Sequence, residues 1–230
     1  MIDEAFARLA LARCILFDGV DDEALDACVA YLRRRTFRRD ETVFHQGDPG
    51  DALHVIARGR VKIVLPAPDA GEPAILATLG AGDFFGELAL LDGEPHSASV
   101  VALEPTETLM LGSTDFERLF DTQPGLRRAL VGSLARELRR LTGHVEALHF
   151  LDLRERVALR IRDLAGADDH AREVRIAWPY TQSELAGMVG GSRESVNRLL
   201  ADLVARGVIR FERDSLVIPD AGLLAREVRR

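Results

Sequence analysis

From Thr181 to Gly207 the chain reads TQSELAGMVGGSRESVNRLLADLVARG, and its caps and spacings admit a helix, a corner and a second helix, and little else. Thr181 with Glu184 three residues on is a capping-box pair, so a short helix starts there with Leu185, Met188 and Val189 on its apolar side. Gly190-Gly191 supplies the corner. Ser192 caps a second helix, and Gly207, free to take a positive φ, ends it. Val196, Leu199, Leu200, Leu203 and Val204 recur at three- and four-residue spacing, leaving Arg193, Glu194, Asn197 and Arg198 on the opposite side. The pattern predicts a helix-turn-helix whose second helix offers its outer face to base edges.

The chemistry of that face is selective. An arginine can donate two hydrogen bonds to guanine O6 and N7, and a carboxylate can accept from cytosine N4, so Arg193, Glu194 and Arg198 suit a short G/C-containing word in the major groove. Thr181, Ser183, Ser192 and Ser195 are placed to reach phosphates, which fixes register without reading sequence. In isolation such a trio reads better as a solvated salt-bridged face. The Gly-Gly-Ser corner and the capped helix before it favour the base-reading alternative here.

The run VGGSRESVNRLL resembles the recognition element of the cyclic AMP receptor protein and fumarate-nitrate regulator family of bacterial transcription factors, Val-Gly-x-Ser-Arg-Glu-Thr-Val-x-Arg, with Ser195 in the threonine position. The resemblance implies a homodimeric regulator on palindromic double-stranded DNA with TGTGA-like half-sites. Arg193 and Arg198 would then lie on guanines and Glu194 on cytosine. RNA polymerase is a further partner that the resemblance suggests.

At 230 residues the chain has room for two modest domains, each with a core of its own. Its net charge of −7 is unevenly spread: residues 1–150 carry 16 basic and 24 acidic side chains, residues 151–230 carry 14 and 13. An acidic front and a near-neutral back fit a sensor joined to a DNA-binding part whose positive charge is local. Lys62 is the sole lysine, so arginine supplies the bidentate contacts. The acidic start and the lack of a long apolar run predict a cytoplasmic protein with no membrane partner. Cys14 and Cys28 are too few for a four-cysteine iron–sulfur cluster within one subunit, and both read as buried small apolar residues. No His/Cys cluster has zinc spacing, so no metal site is expected.

Residues 4–17 and 22–34 read as two short helices. From Phe37 to Leu111, short β-rich runs at Thr42–His45, Leu53–Ile56, Val61–Leu65, Ile75–Leu79, Ser97–Val101 and Thr108–Leu111 alternate with turn signals, among them Asp69-Ala70-Gly71. That punctuation predicts an antiparallel roll. The stretch beginning Phe44-His45-Gln46-Gly47-Asp48 resembles the family's cyclic-nucleotide-binding jelly roll. The arginines at 33, 34, 35, 38 and 39 read as a solvated strand edge rather than an anion site.

In GDFFGELALLDGEPHSASV, Gly86-Glu87-Leu88 can open a helix whose free N–H groups face an anion, with Glu87 accepting from a ribose hydroxyl. The segment resembles the family's phosphate cassette, with His96 in place of the phosphate-pairing arginine and Ser97-Ala98 after it. A charge-assisted hydrogen bond contributes about 1.5–3 kcal/mol, so a missing guanidinium weakens a cyclic nucleotide roughly 10- to 150-fold. Cyclic AMP or a similar nucleotide, another small-molecule effector, and an empty pocket therefore stay open. Leu141 and Thr142 match the family's two base-contacting positions.

Leu134, Leu138, Leu141, Val145 and Leu148 alternate in steps of four and three, a coiled-coil seam that pairs two helices in parallel. Gly143 within that helix costs about 1 kcal/mol relative to alanine, so the distal turns are marginal. Asp152 with Glu155 is another cap pair, Gly166–His170 a loop, Val174–Ala177 a strand, and Val208–Phe211 with Leu216–Ile218 the wing of a winged helix.

The expected architecture is α+β: an N-terminal antiparallel jelly roll with helices (1–123), a dimerisation helix and hinge (124–151), and a winged helix-turn-helix (152–230). An enzyme is not expected, since no nucleophile–base pair or metal-ligand spacing is present. A haem gas sensor with a histidine such as His96 as axial ligand, an effector-independent regulator and a ligand-regulated, protein-binding subunit are the alternatives.

Overall fold

The computed structural model describes residues 3–67, 72–166 and 172–228. The turn expected at Asp69-Ala70-Gly71 and the loop expected at 166–170, apart from Gly166, lie outside them. Contacts divide the chain into two units, Met1–Leu65 with Leu76–Arg140, and Pro66–Ile75 with Leu141–Arg230.

The first unit opens with α1 (Glu4–Arg13), capped by Asp3, a short turn of 3-10 helix (Ile15–Phe17) and α2 (Asp22–Val29), capped by Asp21. The second expected helix stops at Val29, short of residue 34. The chain then enters β1 (Arg33–Phe37), with Arg33, Arg34 and Arg35 exposed on an edge strand. The remaining strands are β2 (Thr42–Phe44), β3 (Ala52–Arg58), β4 (Arg60–Leu65), β5 (Ala74–Gly80), β6 (Phe84–Phe85), β7 (Ser99–Ala102) and β8 (Thr106–Gly112). Between β6 and β7 lies α3 (Glu87–Asp92). The strands form two four-stranded sheets, β1-β8-β3-β6 and β2-β7-β4-β5, the jelly-roll sandwich expected from the turn pattern.

β3 explains the layering. Leu53 and Val55 point from one face into a cluster with Ala7, Leu11, Leu16, Phe17, Leu109, Leu111 and Phe116, while Ile56 points between the sheets with Val61, Phe85 and Val100. Helices cover one face and the second sheet the other, so the strand is apolar nearly throughout instead of alternating. Cys14 and Cys28 belong to the helix-side cluster. Burial pushes both thiols up to about 12, so they pack as apolar groups, as read from the sequence.

α4 (Ser113–Thr122) leads into α5 (Pro124–Phe150), with proline at the first helical position. Leu126 and Leu130 are fully buried in the first unit's core. The helix passes through Gly143 and ends at Phe150.

In the second unit α6 (Leu153–Ala165) starts on the Asp152/Glu155 capping box and ends at Gly166. Then come β9 (Val174–Ala177), α7 (Gln182–Val189), α8 (Arg193–Ala205), β10 (Arg210–Glu212), β11 (Ser215–Ile218) and α9 (Ala221–Glu227). The sheet order is β10-β11-β9, antiparallel throughout, and the β10–β11 hairpin is the wing expected around Arg213. No local spacing pointed to α9. It is fastened by buried Glu227, which accepts from Arg206 at 2.8 and 2.9 Å and from Arg154 at 3.4 Å, so one carboxylate ties α6, α8 and α9 together.

Candidate nucleic-acid interface and ligand pocket

The capped helix pair forms as its sequence dictates. Thr181 accepts from the Glu184 amide at 3.2 Å, Glu184 reaches back to the Thr181 amide at 2.7 Å, and Gly190 closes α7 at φ +64°. Ser192 accepts from the Ser195 amide at 3.2 Å and starts α8. Val196, Leu200 and Leu203 of α8 are buried, while Arg193, Glu194, Asn197 and Arg198 are exposed. The guanidinium and carboxylate groups that the base-reading hypothesis requires are therefore turned outward.

The four candidate phosphate-contacting hydroxyls all have protein partners. Thr181 donates to Glu184 at 2.9 Å, and Ser192 donates to Ser195, whose Oγ also accepts from Arg198 at 3.3 Å. Ser183 donates to Glu72 at 3.1 Å. Reaching a phosphate means exchanging these bonds, and for Thr181 and Ser183 it means displacing a carboxylate.

Two supports escape a reading by spacing. Arg156 of α6 donates to the carbonyls of Val189 (2.8 Å), Gly190 (3.4 Å) and Leu151 (2.8 Å), clamping the corner between α7 and α8 from behind. Gln182 donates from Nε2 to Asn197 Oδ1 at 2.9 Å, joining the two helices on their exposed side. Nothing local signals either bond, because the partners lie far apart in sequence.

The jelly roll brings its two sequence motifs together. His96 donates its amide to the Asp48 carbonyl and accepts from the Gly47 amide, both at 2.9 Å, and the Gln46 amide donates to Ser99 Oγ at 2.9 Å. Gly86 opens α3 at φ +90°, where an added Cβ would sit 2.7 Å from the Ala52 carbonyl, so glycine is required there. Glu87 follows in the first turn, half-buried; burial raises its pKa, its own amide opposes that, and Glu137 of α5 adds to it. Leu88 and Ser97 are exposed and Ala98 is buried.

His96 does not point to solvent. It is buried, its ring stacked on Phe44 with centroids 3.5 Å apart and planes 6° apart. Next to it His54 stacks on Phe85 at 5.0 Å and meets Thr108 Oγ1 at 3.1 Å. Burial lowers the His96 pKa against the pull of Asp48 and Asp51, which favours the neutral imidazole. A neutral ring can give an anion one hydrogen bond but no ion pair. Among the described residues no group of three His, Cys, Asp or Glu side chains is placed to hold a metal ion.

Along α5, Leu138 and Val145 are 67% and 54% exposed and Leu148 is exposed too, while Leu134 and Leu141 are half-buried. Thr142 is exposed. Val131, 65% exposed, continues the same row one step earlier. Its three-residue spacing from Leu134 was the available signal.

A sandwich carrying a glycine-opened cassette and a capped helix pair with an outward Arg-Glu-Arg face define an effector-controlled, DNA-binding transcription regulator. A family model of the cyclic nucleotide-binding domain matches residues 34–123, and one of the Crp-like helix-turn-helix domain matches residues 155–227. The CRP-like cAMP-activated global transcriptional regulator of Mycobacterium tuberculosis is 37% identical over 221 residues, 95% of this chain and 98% of that one. The cyclic AMP receptor protein of Thermus thermophilus is 35% identical over 209 residues, 91% and 94% of the two chains. Among solved structures, the c-di-GMP responsive global regulator CLP of Xanthomonas campestris superposes with a TM-score of 0.72 at 26% identity, covering 86% of this chain and 99% of its own. The chain belongs to the cyclic AMP receptor protein and fumarate-nitrate regulator family. The Mycobacterium tuberculosis relative is named as a transcriptional regulator, and among the described residues no helix is long and apolar enough to cross a membrane.

Proposed function

We propose that the protein works as a homodimer on palindromic double-stranded DNA, with Arg193 and Arg198 reading guanines and Glu194 accepting from a cytosine in each half-site. The observation that carries this reading is the exposure of all three side chains on a helix whose Val196, Leu200 and Leu203 are buried on the other side. Thr181, Ser183, Ser192 and Ser195 line the approach to the backbone phosphates. The row from Val131 to Leu148 is the dimer seam, since a monomer gains nothing by leaving such residues in water.

The effector pocket lies at Gly86, Glu87, Leu88, His96, Ser97 and Ala98. Cyclic AMP is supported by the matched domain and by the activation named for the Mycobacterium tuberculosis relative. The buried His96, stacked on Phe44 and with burial disfavouring its charge, supports a second reading, in which the effector is an anion held by backbone N–H groups or one that carries less charge at that end. Calorimetric titration with cyclic AMP, cyclic GMP and cyclic di-GMP separates these. A saturating heat with cyclic AMP supports the first, and flat traces for all three remove cyclic nucleotides as effectors. Selection from a random duplex library tests the base-reading face, which fails if no inverted repeat is enriched with or without cyclic AMP.

A further inference from the structure

The apolar row on α5 sets the register of the residues beside it. Its steps of three and four make Val131, Leu138 and Val145 the a positions of a heptad and Leu134, Leu141 and Leu148 the d positions. His144 then stands at g, just before Val145, and His149 at e, just after Leu148. Within one chain these two histidines flank the row on opposite sides and cannot meet. In a parallel pair, a g residue faces the e residue of the next heptad on the other helix. His144 of each copy therefore faces His149 of the partner subunit, once on either side of the twofold axis. The local geometry suits a ligand. His149 is exposed, and its Nδ1 lies 3.1 Å from the Val145 carbonyl oxygen. A carbonyl can only accept, so Nδ1 carries the proton and Nε2 keeps its lone pair. Imidazoles that bind metals are commonly held this way, by a bond from the far ring nitrogen to a carbonyl or carboxylate. Glu146, exposed one turn before His149, is its neighbour on the same flank of the helix, and His144 is half-buried. Two imidazoles and a carboxylate form a ligand set that zinc takes with a water in the fourth position.

We propose that the paired α5 helices hold divalent metal ions of the zinc type, each bound by Glu146 and His149 of one copy and His144 of the other, at the end of the seam beside the hinge. This rests on the twofold pairing proposed above and adds to it a ligand separate from the effector of the jelly roll. The site is divided between chains, so a single chain does not gather it: among its described residues no three such groups converge. Position gives the site its consequence. Gly143 weakens these last turns, and an ion bridging His144 and the partner's His149 ties them across the axis. Because the ion binds only the pair, metal binding and pairing reinforce each other: at free zinc about ten times its dissociation constant, one site on each side of the axis tightens the dimer roughly 100-fold.

The test is zinc chloride titration of the full-length protein, read by calorimetry and by sedimentation, in wild type, His144→Ala, His149→Ala, Glu146→Gln and a co-expressed pair of the two histidine variants. Wild type is expected to bind one ion per chain and to dissociate less readily when zinc is present. Each histidine variant should lose the sites on both sides of the axis. Both keep every a and d residue, so they should still sediment as dimers in the absence of zinc. Glu146→Gln should bind zinc more weakly with the number of sites unchanged; equal affinity removes the carboxylate from the ligand set. In the co-expressed pair, half of the dimers combine one chain of each kind, and in those the intact His144 faces the intact His149 on one side only, so roughly a quarter of the wild-type sites return. Only a site divided between subunits gives that recovery. Zinc binding that survives either histidine variant overturns the proposal, and so does a co-expressed pair that recovers nothing. A wild type that is monomeric with and without zinc shows that the twofold pairing itself has failed, whereas a dimer indifferent to zinc removes the metal site and leaves that pairing standing.

Discussion

His54 sits on the inner face of β3, stacked on Phe85 and bonded to Thr108, and charging it there strands a cation between two sheets. Burial lowers its pKa from 6.5 to about 4, with Asp51 pulling upward and Arg35 and His96 pushing further down. The folded state therefore binds fewer protons than the unfolded chain between those values. The stabilisation is complete above pH 6.5 and is lost as pH falls towards 4, by on the order of 3 kcal/mol for a group this buried. Urea unfolding across that range should show the loss in wild type and a flatter profile in His54→Gln; parallel profiles would assign the acid sensitivity elsewhere. Arg156 makes a different kind of prediction, since it serves two carbonyls at the corner between α7 and α8 and a third, that of Leu151, just before α6. Arg156→Ala should cost about 1.5–3 kcal/mol in chemical denaturation, typical of charged hydrogen bonds, and a variant as stable as wild type would show that water replaces the guanidinium without loss.

At the scale of elements, the features legible in the sequence were those that neighbouring residues settle among themselves. Thr181 with Glu184 and Asp152 with Glu155 are reciprocal bonds three residues apart, and Gly86 and Gly190 mark backbone conformations that other residues resist. β1 was legible only as a solvated edge of arginines, its start being assigned to the preceding helix, because RRRTF has no apolar alternation; pairing with β8 makes it a strand, and that partner lies some seventy residues away. β6 is two residues long and has no period to detect. The candidate site divides the same way: the outward trio on α8 follows from helical spacing, whereas Glu72 meets Ser183 across 111 residues. That last contact can be tested directly. Glu72 lies between β4 and β5, and its carboxylate occupies the hydroxyl that α7 would offer a phosphate. Glu72→Gln removes a negative charge from beside the proposed backbone contact and loosens its hold on Ser183. Fluorescence anisotropy should report DNA binding tighter by roughly 2- to 12-fold, the range of one net hydrogen bond. Equal or weaker binding would show that Ser183 is not used on DNA.

For the whole molecule the open question is how a chain of net charge −7 holds a polyanion. One near-neutral half presenting two arginines and a few hydroxyls releases few counterions, so a single copy should bind duplex DNA weakly and with little sequence memory. Doubling changes this, because two tied copies engage two half-sites at once and the second engagement is intramolecular. In the proposed dimer the exposed row on α5 would supply the tie: burying a side chain such as Leu138 or Val145 contributes about 1.5–3 kcal/mol, and a seam would repeat it on both helices. Leu138→Glu places a carboxylate opposite its own copy at the middle of that seam. The variant should remain folded, since Leu138 is largely exposed within the single chain, yet sediment as a monomer at concentrations where wild type is dimeric. Its affinity for the palindrome should fall to that for an isolated half-site, while the wild type binds best with half-site centres about one helical turn apart, near 10 base pairs. A dimeric Leu138→Glu protein would move the interface off α5, and a monomer that still prefers the palindrome would break the link between twofold symmetry and recognition.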